Sequence, residues 1–262
     1  MDTRIEDDIQ TGIVILHYIK EELTKDCIRS IKENTPEGTY KIIVVDNNSP
    51  VPLTLEDVTV IRNDSRYSTS GMNFGFYHAL YVENCKYVVN MDNDVICHKG
   101  WLEPLVKEME EHPNTGICGG KQWNKDKTDF FSVGSDLSGW IYRSWPTERT
   151  DVTWIQGSFT MYRADMMKRI GLQDTRFQDI CSDSDYCIHA LDRGCDVVFV
   201  PESNVTHLGG QSYKDYPTDH SQDFGQLIAK WFGTKFNSLS NVLPINSQDR
   251  TFGQVTYKVT RR

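Results

Sequence analysis

The sequence predicts an α/β fold: a Rossmann-like, mainly parallel central sheet flanked by helices, with a smaller mixed or antiparallel sheet beside it. Three observations carry this. Apolar runs at residues 12–17, 40–46 and 86–91 have the length and composition of buried strands. Helical patterns separate them, and a strand–helix–strand unit implies parallel pairing with a right-handed crossover. Beyond residue 116 the rhythm changes to short apolar runs with glycine and polar breaks, which suits mixed or antiparallel strands.

Taken in order, residues 12–17 form the first strand. Glu21 to Asn34 places Leu23, Cys27, Ile28 and Ile31 at helical spacing, and Pro36 and Gly38 stop the helix. Residues 40–46 form the second strand and 58–62 a short third. Gly71 to Val82 reads as a helix, and 86–91 as the strand that closes in Asp92-Asn93-Asp94. A helix from about 100 to 111 ends at His112-Pro113-Asn114. The later apolar runs are Gly116-Ile117-Cys118, Phe130-Phe131-Ser132-Val133, Trp140-Ile141-Tyr142 and Phe159-Thr160-Met161-Tyr162. Residues 183–193 read as a helix ended by Gly194, and 196–200 as a strand ended by Pro201. With no internal repeat or low-complexity linker, residues 1–235 read as a single domain. Residues 236–262, polar and weakly periodic, read as a C-terminal tail or docking segment.

Composition narrows the function. A hydrophobic content of 38% and a charged content of 25% in 262 residues fit a packed core rather than disorder. The net charge of −9, with no basic cluster before Arg261-Arg262, argues against a nucleic-acid surface. The apolar stretches fall far short of the roughly 20 residues of a membrane span. The acidic start, Met1 to Asp8, lacks the apolar centre of a secretory signal. The expected location is cytoplasmic, with peripheral membrane contact left open. Seven cysteines without a C-x-x-C pair read as free thiols, neither a disulfide framework nor a zinc site. Asn63-Asp64-Ser65 and Asn204-Val205-Thr206 match the glycosylation pattern, but without a secretory signal they read as chance matches.

Four constellations can carry chemistry. Asp46 ends an apolar strand in Val44-Val45-Asp46-Asn47-Asn48-Ser49, where a carboxylate either caps the turn or accepts hydrogen bonds from a nucleobase N–H or a ribose hydroxyl. Asp92 and Asp94 stand two residues apart at the end of a buried strand, the edge of an open α/β sheet where ligands bind. They suit either a solvated turn or a hard divalent cation holding a diphosphate. Asp183 and Asp185 open a helix in Cys181-Ser182-Asp183-Ser184-Asp185-Tyr186-Cys187, as first-turn acids or with Asp183 as a general base. His207 follows a strand and precedes Gly209-Gly210. It is either a structural histidine or a metal ligand carried on a mobile loop.

In this order and spacing, these segments resemble the family-2 glycosyltransferases of the GT-A fold, with the nearest likeness to the bacterial rhamnosyltransferase-like branch. Gly12 to Tyr18, with Cys27-Ile28-Arg29-Ser30-Ile31, is similar to the family's first strand and helix. Val45 to Ser49 resembles its nucleotide-binding turn. Asn63 and Gly71-Met72-Asn73-Phe74-Gly75 resemble its asparagine–glycine stretch, and Asp92-Asn93-Asp94 its D-x-D motif. Gly157-Ser158 with Met161-Tyr162-Arg163 resembles the acceptor-side segment. Ser182 to Cys187 lies where the family has Glu-Asp-x-Asp-Leu-Cys, and Pro201 and His207 match the closing strand and histidine. The likeness covers about residues 11–213, with one departure: Ser182 replaces the usual Glu.

The resemblance implies a metal-dependent, inverting, hexosyl-type transferase of polysaccharide biosynthesis. Its donor would be a nucleoside-diphosphate sugar and its acceptor hydroxyl that of a glycan or lipid-linked saccharide. Asp183 would be the catalytic base. His17, Tyr18, Asp46, Asn48, Asn73, Asp92 and Asn93 would contact the nucleotide sugar. Asp92, Asp94 and His207 would hold Mn2+ or Mg2+, and Trp154, Gly157 and Asp185 would line the acceptor side. Trp154, Trp140 and Tyr142 would stack on acceptor sugars or pack in the core. A nucleotidyltransferase is the rival enzyme, but it should carry a Gly-rich basic phosphate loop, which His17-Tyr18-Ile19-Lys20 is not. A non-catalytic nucleotide-sugar-binding module is the other rival, and it needs no metal carboxylates.

Overall fold

The computed structural model describes residues 11–132, 147–209, 211, 221–232, 250–252 and 255–257. Its centre is β1 (Thr11–His17), which pairs in parallel with β2 (Tyr40–Asn47) on one side and β4 (Tyr87–Asp92) on the other. The parallel array continues outward to β3 (Thr59–Asn63). The centres of β1, β2 and β4 are mainly apolar because helices cover both faces, whereas β3 at the edge is only partly buried. Beyond β4 the sheet turns antiparallel through β9 (Phe159–Arg163), as the short broken runs predict. It then reaches β6 (Thr115–Trp123), β10 (Asp196–His207) and β5 (Val95–Cys97), giving the order β3-β2-β1-β4-β9-β6-β10-β5. Two short strands attach at the side, β7 (Phe130–Ser132) on β6 and β8 (Thr150–Asp151) on β10.

On one face lie α1 (Glu21–Asn34) and α3 (Glu103–Glu111), whose Cys27, Ile28, Ile31 and Leu105 pack on Ile13, Ile15, Val44 and Met91. On the other lie α2 (Ser68–Tyr81), α4 (Ala164–Ile170), α5 (Ser182–Asp192) and α6 (Ser221–Leu227), followed by a π-helical turn, Ile228–Phe232. Their Phe76, Met166, Tyr186, Leu227 and Trp231 meet Val14, Val45 and Val88. The alternation of Ile13 and Ile15 with Val14 follows from successive side chains of a strand pointing to opposite faces. Among the described residues, no helix is long and apolar enough to cross a membrane.

Several expectations are corrected. Pro201 does not end the last strand: β10 runs twelve residues to His207. Its pairing with β6 slips between Phe199 and Asn204, so Pro201, which has no N–H to donate, sits where the ladder is interrupted. α2 begins at Ser68, three residues before Gly71, and α3 begins at Glu103. β5 and α4, three and seven residues long, are too short to show a period in the sequence. Within 236–262 the described residues form a hairpin of β11 (Arg250–Phe252) and β12 (Val255–Tyr257). The rest of that segment, with Val133, Trp140, Tyr142 and Gly210, lies outside the described residues.

Candidate active site

Pairing brings the ends of β1, β2, β4 and β10 to one edge of the sheet. Leu16 stands beside Asp92 and His17 beside Asp46, while His207 is cross-strand from Val95, the residue after Asp94. The N–H of Leu208 donates to the carbonyl of Asp94 at 3.0 Å, and that of Asp92 to the carbonyl of Ser158 at 3.0 Å. His207 is therefore the last residue of a strand and not part of a mobile loop.

One ligand atom from each of Asp92, Asp94 and His207 lies within 4.8 Å of the others. His207 Nε2 is 3.1 Å from an Asp94 oxygen and 3.7 Å from one of Asp92. The Asp94 and His207 side chains are buried, whereas Asp92 is 44% exposed, so the cluster opens on the Asp92 side. Desolvation and the nearby Asp94 and Asp183 charges push the Asp92 carboxyl up against the pull of His207, although its exposure tempers the first of these. Burial opposes the His207 imidazolium, but the Asp94 hydrogen bond and both carboxylate charges outweigh it and raise its pKa. A carboxyl crowded by two other acids, as Asp92 is, marks a charge imbalance that a divalent cation relieves. Two carboxylate oxygens and an imidazole nitrogen at this spacing fit a divalent cation as a donor set.

Behind the triplet, Asn93 Nδ2 donates to Thr24 Oγ1 at 3.0 Å, and His17 Nδ1 meets the same hydroxyl at 2.7 Å. Both residues are buried. They fix the triplet against α1. Desolvation outweighs the Asp46 and Glu21 charges and lowers the His17 pKa, favouring the neutral ring. Tyr18 is half-buried on the turn after β1.

Asp46 stands near the end of β2. It is 1% exposed, and its oxygens accept from the N–H of Ser49 and of Leu53, each at 3.0 Å, and from Arg62 Nη1 at 2.6 Å. Burial works against its charge, but these hydrogen bonds and Arg62 prevail and lower its pKa. The group at this turn that reaches solvent is Arg62, which also donates to Asn48 Oδ1 and to the Ser49 carbonyl. Arg62 escaped the sequence reading, although parallel pairing of the second and third strands sets it beside Asp46. Asn48, exposed at φ 61°, stays at the mouth of the turn. Asn73 exchanges two hydrogen bonds with the Gln173 backbone.

Asp183 lies in the first turn of α5, half-buried. One oxygen accepts from the Gly157 N–H at 2.8 Å and the other from the Ser184 N–H at 2.7 Å. The Gly157 carbonyl in turn accepts from Asn90, two residues before Asp92 on β4. This links Asp183 to the strand that carries the acidic triplet. Burial raises the Asp183 pKa despite the Gly157 and Ser184 bonds. Asp185 is 1% exposed, bonded to Trp231 Nε1 at 2.6 Å and to Lys230 Nζ at 2.8 Å. Trp154 is buried in the core with Ile155 and Tyr186.

The sequence profile described as glycosyl transferase family 2 matches residues 12–171. No curated protein matches the chain. Among solved structures, the chain is similar to a crystal structure of GalNAc-T7 with UDP, GalNAc and Mn2+, at a TM-score of 0.68 and 15% identity. The match covers 88% of this chain and 50% of that one, so the chain spans about half of that protein's length.

Proposed function

The chain belongs to glycosyl transferase family 2 and has a GT-A fold, and on that premise we propose that it is a metal-dependent inverting glycosyltransferase. It moves a hexose from a nucleoside-diphosphate sugar to a hydroxyl of a glycan or lipid-linked saccharide in polysaccharide biosynthesis. The observation that carries the reading is the convergence of Asp92, Asp94, His207 and Asp183 on one sheet edge. The GalNAc-T7 likeness supports a nucleotide-sugar donor and a divalent cation. The order and spacing of the motifs support the rhamnosyltransferase-like branch.

His207 and Asp94, both buried and braced by strand pairing, supply rigid ligands, while the exposed Asp92 is the member nearest the donor. Mn2+ or Mg2+ held by these three residues would supply positive charge to offset that of a departing diphosphate, a contribution of several kcal/mol. Asp183 takes the proton of the attacking hydroxyl. Its raised pKa makes it a stronger base than an ordinary carboxylate, and Gly157 and Ser184 hold its oxygens in place.

The test incubates the full chain with Mn2+, simple glycoside acceptors and a panel of UDP-, GDP- and dTDP-sugars. The expected result is release of nucleoside diphosphate, stopped by EDTA, with the anomeric configuration inverted in the product by NMR. Retained configuration would overturn the inverting mechanism. Release of pyrophosphate would replace the reading with nucleotidyl transfer, and binding without release would replace it with a binding module.

A further inference from the structure

We propose that Asp223 is a positioning residue for Asp183, acting through the backbone of residues 178–181. This rests on the reading of Asp183 as the base. Asp223, in the first turn of α6, is 4% exposed. One of its oxygens accepts from the N–H of Gln178 at 3.0 Å. The other accepts from the N–H of Asp179 at 2.9 Å and of Ile180 at 3.0 Å. Three successive amides are thus gathered on one carboxylate, and hydrogen bonds to an ionised acceptor are roughly twice as strong as neutral ones.

The carbonyl side of the same loop is held from another direction. The Thr69 N–H donates to the Gln178 carbonyl at 3.2 Å, and Ser68 Oγ donates to the carbonyls of Gln178 at 3.2 Å and Asp179 at 3.1 Å. With donors and acceptors both fixed, the chain reaches Cys181 at φ 62°, a left-handed conformation that a cysteine rarely adopts. It then enters α5, where the Asp185 N–H donates to the Cys181 carbonyl at 2.8 Å. The direction of that first turn aims Asp183 at Gly157.

The segment that supplies Asp223 also grips both flanks of the loop. Lys230 reaches Asp174 at 2.9 Å before it and Asp185 at 2.8 Å after it, and Trp231 bonds Asp185. Apolar packing of Leu227 and Trp231 would be enough to attach the segment to the core. Bonds from one carboxylate to three consecutive amides do more, because they prescribe a backbone path.

The test uses the full chain as Asp223→Asn, Asp183→Asn and the double variant. Turnover is measured with Mn2+ and the panel sugar nucleotide that the parent uses fastest, and binding with the matching nucleoside diphosphate. An asparagine at 223 turns one acceptor into a donor facing donors. Its kcat should fall about 10- to 100-fold, the scale of an ångström's misplacement of a reacting group. Donor KM and nucleoside-diphosphate affinity should stay within about twofold of the parent, which also shows that the variant folds. The double variant should lose no more than Asp183→Asn alone, as expected of residues that act as one unit. A kcat within about twofold, a parallel loss of kcat and affinity, or losses that multiply in the double variant would each overturn the inference while leaving the base intact. Full turnover by Asp183→Asn would remove the base reading and the inference with it. If Asp223→Asn does not fold, Ser68→Ala, which removes the hydroxyl's bonds to the loop carbonyls and to the Asp179 side chain, is judged by the same kcat-against-affinity criterion.

Discussion

Asp183 and Gly157 form the smallest unit on which the proposed chemistry depends. Replacing Asp183 with Asn keeps the shape and removes the basic oxygen. Transfer should fall about 100- to 10,000-fold, the range that general bases contribute, while nucleoside-diphosphate binding persists. Near-normal transfer would end the assignment. Gly157 is constrained differently: a Cβ there would stand 3.0 Å from Asp183 Cβ and 3.3 Å from its Oδ2. Gly157→Ala should therefore displace the carboxylate by a few tenths of an ångström and slow transfer roughly tenfold with donor affinity unchanged. A donor-affinity loss as large as the rate loss would place Gly157 on the nucleotide side instead. At this scale, what the sequence carries is the juxtaposition of Asp92, Asp94 and His207, because strand ends can be read from apolar runs. It does not carry hydrogen-bond partners. That Asp46 meets Leu53, Asn73 meets Gln173 and Asp185 meets Lys230 is visible only in the folded chain.

Elements were legible in proportion to their period. α1 matches the residues predicted for it because Cys27, Ile28 and Ile31 recur on one face and charged residues mark the others. α2 is apolar nearly all round, so its period locates the helix without defining its start. Its alignment on the sheet depends on two glycines one turn apart. A Cβ on Gly71 would overlap Asn47 and Leu16, and one on Gly75 would overlap Val14 and Val45. The glycines that resemble a family motif thus let a helix lie against β1 and β2. Gly75→Ala gains helix propensity of up to about 1 kcal/mol. It should nonetheless lose roughly 1–3 kcal/mol to overpacking, lowering the urea midpoint. A raised midpoint would show that the helix can shift freely. β5 was hidden for the opposite reason: three residues carry no period, yet their pairing with β10 is what delivers His207 to Asp94.

For the molecule as a whole, charge links stability to the site. The chain carries a net charge of −9, and several of its carboxylates are buried at one edge. Asp92, Asp183 and Asp185 have raised pKa values, and so does His207. A raised folded-state pKa means that the folded protein binds the proton more tightly. The associated stability is complete below the unfolded pKa and is lost as pH rises through the folded one. For His207 that loss begins above 6.5, the unperturbed value. Asp46 and Asp174 have lowered values, and they withdraw stability only as pH falls below the usual carboxylate range. The raised carboxyls lose theirs from the usual carboxylate value of 3.8 upward, so the metal-free protein should have its highest melting temperature at about pH 4, where the two sets of windows meet, and melt progressively lower toward pH 8. Mn2+ acts in the opposite sense, since it binds only deprotonated ligands. The melting-temperature increase from a fixed Mn2+ concentration should grow from pH 5 to pH 8, and His207→Ala should flatten that growth. Melting curves in EDTA and in Mn2+ across this range decide it. A metal-free protein that gains stability from pH 6.5 to 8, or an Mn2+ increment independent of pH, would show that the crowded acids at this edge do not form a cation site.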